Sequence, residues 1–174
     1  MKVLRWILVT ASAAVASVVA VAQETTDQQQ AAVAGAERIA LYRDTLALAL
    51  QASAVVDRES AMAAFHIQAP AIARNVGKLS AQVGWTRLEP INPDNAPQAW
   101  MVPLLTQYAE GNTTEPSVVH LGGNRYGYVE PILTDDTCQS CHLTGHDGVE
   151  IYNEAGKFAG LYWSVIEKIV APER

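Results

Sequence analysis

The chain has 174 residues, of which 49% are hydrophobic and 17% are charged. This balance excludes an intrinsically disordered protein, and the length suits one domain with its own core. The net charge of −6 argues against nucleic acid as a partner, because an acidic surface repels phosphate groups.

The first 22 residues have the pattern of a secretory signal peptide. Lys2 and Arg5 form a basic start, an apolar run covers residues 6–21, and Ala20 and Ala22 supply the small residues of a cleavage site. An uncleaved membrane anchor is the alternative, although the run is short for a span of about 20 residues. Both alternatives export the rest of the chain, which predicts the periplasm, and only the second one attaches it to a membrane.

We divide the chain into a signal peptide (1–22), a polar N-terminal segment (23–36) and a single domain (37–174). Apolar residues at helical spacing predict a long amphipathic helix from about Ala31 to Val56, and a second helix from Glu59 to about Leu79. Pro70 lies inside the second helix and is expected to bend it or to end its first part.

The middle and the end of the chain predict loops and strands. Residues 84–97 are rich in Pro, Asn and Asp and predict a structured loop, in which Asn95 would cap a helix that ends near residue 111. Strands are predicted at 118–121 and 126–133 around a Gly-Gly-Asn turn, and at 149–152 and 157–169. Helices followed by a small antiparallel sheet predict an α+β domain.

One short motif carries the chemistry. Residues 138–142 read Cys-Gln-Ser-Cys-His, and C-x-x-C-H is the spacing of covalent c-type haem attachment. The thiols of Cys138 and Cys141 would bond to the two vinyl groups of the porphyrin, and His142 would be the proximal iron ligand. The chain holds no other cysteine. We therefore predict one covalent haem c, attached to a loop between two hairpins.

Three other interpretations of these residues stay open. A redox-active C-x-x-C pair normally belongs to a βαβ pattern, which this sequence lacks. A zinc site would use Cys138, Cys141, His142 and His146, which lie close together for four ligands. A structural disulfide is the third, since exported proteins often form one.

The far side of the iron decides what such a haem does. A strong sixth ligand favours electron transfer, whereas an open position favours the binding of gases. His66, beside Phe65 on the second predicted helix, is the main candidate for a distal ligand. The other side chains with a suitable donor atom also have ordinary structural interpretations, and these are His120, His146, Met62 and Met101. Arg87 and Arg125 are candidate partners of haem propionates.

Several spaced segments give the chain a resemblance to a known family, the PAS-like c-type haem domains of small periplasmic proteins and bacterial sensors. These segments are residues 69–73, residues 92–97 with Trp100 after them, residues 128–132 leading into the C-x-x-C-H motif, and residues 160–165. The resemblance implies a PAS-like fold, with long N-terminal helices packed on a small antiparallel sheet. It also implies that His142 ligates the iron.

The chain departs from that family's pattern on the distal side. Members often have a cysteine at the position of Phe65, and arginines at the positions of Trp85 and Ile91. The more apolar site predicted here favours a non-enzymatic haem protein that senses or binds a small gas such as NO or CO. The alternative is a single-haem electron carrier with six-coordinate iron and a redox partner protein. A peroxidase is a third interpretation, and it would need a distal acid–base group. The sequence makes no prediction of the oligomeric state.

Overall fold

A computed structural model describes the backbone of residues 3–54, 58–77, 81–90, 92–135 and 155–167. Side chains are described for residues 25–52, 68–77, 82–90, 92–135 and 155–167. The elements in chain order are α1 (Val3–Ala54), α2 (Arg58–Gly77), β1 (Ala81–Thr86), two short 3₁₀ turns (Pro93–Asn95 and Ala99–Met101), α3 (Val102–Ala109), β2 (Ser117–Gly122), β3 (Arg125–Leu133) and β4 (Phe158–Glu167).

The two predicted N-terminal helices are present as α1 and α2. α1 begins earlier than the apolar pattern predicts, and its buried stripe contains Ile39, Tyr42 and Leu46 at spacings of three and four residues. α2 continues through Pro70, so this proline does not end the helix. A proline inside a helix removes one backbone hydrogen bond, and burial of neighbouring positions such as Ala69 and Val76 compensates for that loss.

The sheet has four antiparallel strands in the order β1-β4-β3-β2. The hairpin of β2 and β3 confirms the predicted strands and their turn, since Ser117 pairs with Val129 and His120 with Tyr126. β4 lies within the predicted range 157–169, while the strand predicted at 149–152 lies outside the described residues. The architecture is therefore α+β with a small antiparallel sheet, as predicted.

The region predicted as a loop from residue 84 differs in two ways. β1 extends through Thr86 and pairs with β4 along its length, because the strand order makes β4 its neighbour. The prediction that Asn95 caps a long helix is wrong. Asn92 caps the first 3₁₀ turn instead, by accepting a hydrogen bond from the Asp94 N–H at 3.0 Å, and α3 begins only at Val102.

The sheet is covered on both faces. On one face α1 and α2 pack against strand residues such as Val83 and Tyr128. The approach of α1 is close at Gly35, where a Cβ atom would lie 2.5 Å from Tyr128. On the other face Met101 and Leu105 pack against Val129 and Leu161. Within the described residues, no helix combines the length and apolarity that crossing a membrane requires.

Candidate functional site

The predicted haem-attachment residues lie just beyond the described chain. The structure does not describe residues 136–154, which include Cys138, Cys141, His142 and His146. Phe65 and His66 belong to α2, and only their backbone is described. The structure therefore defines the frame around the predicted site, formed by the strands that flank the motif and by the helix that carries the distal candidates.

The chain leaves the sheet before the motif and returns to it at the same point. Leu133, the last residue of β3, pairs with Phe158, the first residue of β4. Beyond this pair, the Thr134 N–H donates to the Lys157 carbonyl at 2.8 Å, and the Gly156 N–H donates to the Thr134 carbonyl at 2.7 Å. The described residues on either side of positions 136–154 are therefore bonded to each other.

The loop of residues 92–97 begins at the same end of the sheet. β1 ends at Thr86, which pairs with Leu161 near the start of β4. Gly160 has φ of 151°, and a Cβ atom there would lie 2.5 Å from the Thr86 carbonyl oxygen, so a glycine is required. The Thr86 hydroxyl donates to the Asn95 carbonyl at 2.6 Å, which fastens the loop to the strand.

α2 runs back along β1 toward this end. A Cβ atom on Gly77, the last residue of α2, would lie 3.9 Å from the Cα atom of Gln82 in β1. At about 1.5 Å per helical residue, Ala69 lies about 12 Å from Gly77 along the axis of α2. Thr86 lies about 13 Å from Gln82 along β1 at about 3.3 Å per residue. Phe65 precedes Ala69 by one turn, so its backbone lies about 6 Å further toward the end that holds the motif loop.

A cavity of about 400 Å³ opens between these elements. Its walls come from α2, β1 and the loop of residues 92–97, with one contribution each from α1 and β4. The lining residues are Tyr42, Ala69, Pro70, Arg74, Val83, Gly84, Trp85, Asp94, Asn95, Ala96 and Trp163. Its size is within the range of small-molecule and cofactor pockets, and three aromatic rings suit a large apolar ligand.

The cavity contains polar groups that the sequence pattern did not single out. Tyr42 is 1% exposed, and its ring meets that of Tyr162 edge to face at 6.2 Å. Burial, reinforced by Tyr162, raises the pKa of Tyr42 above its usual value, so its hydroxyl stays protonated. Arg74 lines the α2 wall, and its only sequence signal is its position one turn after Pro70.

Several candidates from the sequence lie far from this end of the sheet. His120 is exposed beside the β2–β3 turn, where its ring contacts Tyr126 and its Nε2 lies 2.9 Å from the Gly123 carbonyl oxygen. Arg125 starts β3 beside the same turn, with Glu167 at 4.0 Å. Met101 is fully buried in the core on the α3 side. None of these three adjoins the cavity.

Comparison with known proteins assigns the chain to a family. Residues 6–165 match the Tll0287-like family. This protein is a member of the Tll0287-like family. Among solved structures it is similar to the crystal structure of the cyanobacterial heme-protein Tll0287, with 20% identity over 57% of this chain and 74% of that chain and a TM-score of 0.40. No curated protein matches the chain.

The described part of this family member offers no alternative metal centre. Among the residues that the structure describes, no three His, Cys, Asp or Glu side chains lie close enough to hold a metal ion. The candidate ligands whose side chains the structure does not describe are those in residues 136–154 and, on α2, Met62 and His66. The candidate site is therefore the end of the sheet where the described chain stops and resumes around the motif, beside residues 92–97 and α2.

Proposed function

We propose that the protein is an exported c-type haem protein with one haem, attached through Cys138 and Cys141 and ligated by His142. The observation that carries this proposal is the C-x-x-C-H motif, in a segment whose flanking residues are bonded to each other through Thr134. Membership of the Tll0287-like family supports it, because the family's namesake is described as a heme-protein. The signal-peptide pattern of residues 1–22 supports export to the periplasm.

The residues present suit a haem chemically. Two thiols and an adjacent imidazole are the donor set that covalent haem requires. The neighbouring cavity has aromatic walls in Tyr42, Trp85 and Trp163 and one guanidinium group in Arg74. Aromatic rings suit the apolar porphyrin, and a guanidinium suits its propionates. When bound, haem supplies an iron atom that changes oxidation state or accepts a small ligand.

We propose further that the distal position is open and that the protein senses or binds a small neutral gas such as NO or CO. Phe65, one turn before the cavity residue Ala69, cannot coordinate iron. An apolar side chain at this position would exclude water from the distal side of the haem, so that small neutral molecules could reach the iron. A PAS-like arrangement, in which the haem lies between sheet and helices, is part of the same proposal.

The second candidate function is a single-haem electron carrier. His66 precedes the cavity residue Pro70 by one turn of α2, so a histidine also approaches this end of the sheet. Ligation by His66 would close the sixth position and favour electron exchange with a redox partner protein. Neither function includes a catalytic step.

Covalent haem is tested with the purified protein, produced with its N-terminal segment in a bacterium that matures c-type cytochromes. We expect a pyridine haemochrome spectrum of the c type and a haem mass that stays with the chain after denaturation. Cys138→Ala and Cys141→Ala should release the haem, whereas the control His146→Ala should retain it. Failure of the wild-type protein to incorporate haem, or bound zinc in its place, would overturn the proposal.

The two functions are separated by absorption spectra of the ferric, ferrous and ferrous-CO forms. An open site predicts a high-spin ferrous spectrum that changes on addition of CO. An electron carrier predicts a low-spin ferrous spectrum that CO leaves unchanged, and His66→Ala would then make it high-spin. A low-spin spectrum insensitive to both CO and His66→Ala would contradict both ligand assignments.

A further inference from the structure

The cavity between α2, β1 and residues 92–97 contains a guanidinium group without a counter-ion in the described chain. Arg74 lines the α2 wall, and among the described residues no carboxylate lies within salt-bridge distance of it. Asp94 lines the facing wall of the same cavity but forms no ion pair with Arg74. Arg74 is an exposed residue, so its guanidinium is accessible to a ligand of the cavity, and no described carboxylate competes for its five N–H groups.

The backbone on two walls of the cavity is held in place. On α2, the buried residues Ala69 and Val76 lie on either side of Arg74 along the helix. The facing wall is fixed by the hydrogen bonds of Asn92 to Asp94 and of Thr86 to Asn95. The guanidinium of Arg74 is suited to a planar carboxylate, which accepts two parallel N–H bonds.

We propose that Arg74 binds a carboxylate of the ligand in this cavity, and that this carboxylate is a haem propionate. The assignment to haem rests on the proposed function. The positions of the three candidate arginines favour Arg74. Arg125 lies beside the β2–β3 turn at the opposite end of the sheet. Arg87 follows β1 at the correct end, with its Cβ near Gly160, but it does not line the cavity.

The test uses the purified haem protein with Arg74→Gln, Arg74→Lys and, as the matched control, Arg125→Gln. Loss of the cation leaves the propionate charge uncompensated and stabilises ferric iron, so Arg74→Gln should lower the reduction potential. A tenfold change in the ferric–ferrous equilibrium corresponds to about 59 mV. Arg74→Lys should recover most of the shift, and Arg125→Gln should leave the potential unchanged.

Resonance Raman spectra separate direct contact from a long-range effect of charge. The propionate-bending band reports hydrogen bonding at the carboxylate, so it should move in Arg74→Gln and stay in place in Arg125→Gln. A potential and a Raman band that are both unchanged in Arg74→Gln would overturn the assignment to a haem propionate. A lowered potential with an unmoved band would also overturn it, because a remote charge would explain that result.

A free carboxylate is the other source of the same chemistry, and sodium benzoate is the probe. If benzoate raises the melting temperature of the wild-type protein but not of Arg74→Gln, while the haem spectra do not respond to that variant, the cavity binds a free acid. The measurement with benzoate can also be made on protein without haem. A protein that lacks haem but shows Arg74-dependent benzoate binding would contradict the proposed function and retain the carboxylate site.

Discussion

Thr134 and Lys157 bond to each other on either side of the segment that carries the C-x-x-C-H motif. The Thr134 N–H donates to the Lys157 carbonyl at 2.8 Å, and the Lys157 N–H donates to the Thr134 hydroxyl at 2.9 Å. Thr134 is 3% exposed, so water cannot readily replace these bonds. The pair fixes the positions of the described residues that flank the motif segment.

The hydroxyl of Thr134 is expected to contribute measurably to stability. Thr134→Val keeps the shape of the side chain but removes the acceptor of the part-buried Lys157 N–H, and a typical hydrogen bond contributes about 0.5–1.5 kcal/mol. We expect chemical denaturation to show a loss of this size. Thr134→Ser, which keeps the hydroxyl, should lose less, and equal stability of Thr134→Val and wild type would contradict this role.

Position 65 should control the coordination of the iron. Under the proposed function, Phe65→Cys introduces a side chain that can ligate iron one turn before Ala69, and it should convert a high-spin haem to a low-spin one. Absorption and electron paramagnetic resonance spectra would measure the change. Phe65→Leu is the matched control and should stay high-spin. A high-spin spectrum in Phe65→Cys would place position 65 away from the iron.

Two buried hydroxyls on neighbouring strands should respond in opposite ways to removal. Thr86 and Ser164 are both 0% exposed. The Thr86 hydroxyl donates to the Asn95 carbonyl, whereas the Ser164 hydroxyl has no partner among the described residues. Thr86→Val should lower the free energy of unfolding by about 1–2 kcal/mol. Ser164→Ala removes a buried hydroxyl that no described residue bonds to, so it should be neutral or stabilising. A large loss in Ser164→Ala would indicate a bound water or another unseen partner.

Tyr42 should make the protein sensitive to alkaline conditions. Burial raises its pKa in the folded state above the value near 10 expected for the unfolded chain. Its contribution to stability is therefore fully present below about pH 10 and is lost as the pH rises further. The loss approaches about 1.4 kcal/mol per pH unit for one group. Denaturation between pH 9 and pH 11.5 should show a smaller loss in Tyr42→Phe than in wild type, and equal losses would contradict this assignment.

Local patterns in the sequence were sufficient for the elements that depend on nearby residues. The spacing of Ile39 and Leu46 predicted the buried stripe of α1, because a helix repeats its face every three or four residues. The turn at residues 122–124 predicted the β2–β3 hairpin. The pentapeptide at residues 138–142 indicated the chemistry, and the structure does not describe those residues.

Elements that depend on distant partners were missed or misplaced. β1 has a glycine at its centre and is followed by a proline-rich loop. It is a strand because β4, far along the chain, pairs with it. Asn95 has the side chain of a helix cap, but the structure uses its carbonyl to accept from Thr86. The contact between the loop and the sheet decides which polar group of the loop forms a hydrogen bond.

The sequence by itself determined the α+β order of helices before strands, and it predicted the haem chemistry proposed for Cys138, Cys141 and His142. These follow from residue types at short spacings, which a linear pattern records. Tertiary structure decided which segments share one end of the sheet, and it placed Arg74 and Asp94 on facing walls of one cavity. That arrangement depends on five elements packing together, and no spacing along the chain encodes the distance between them.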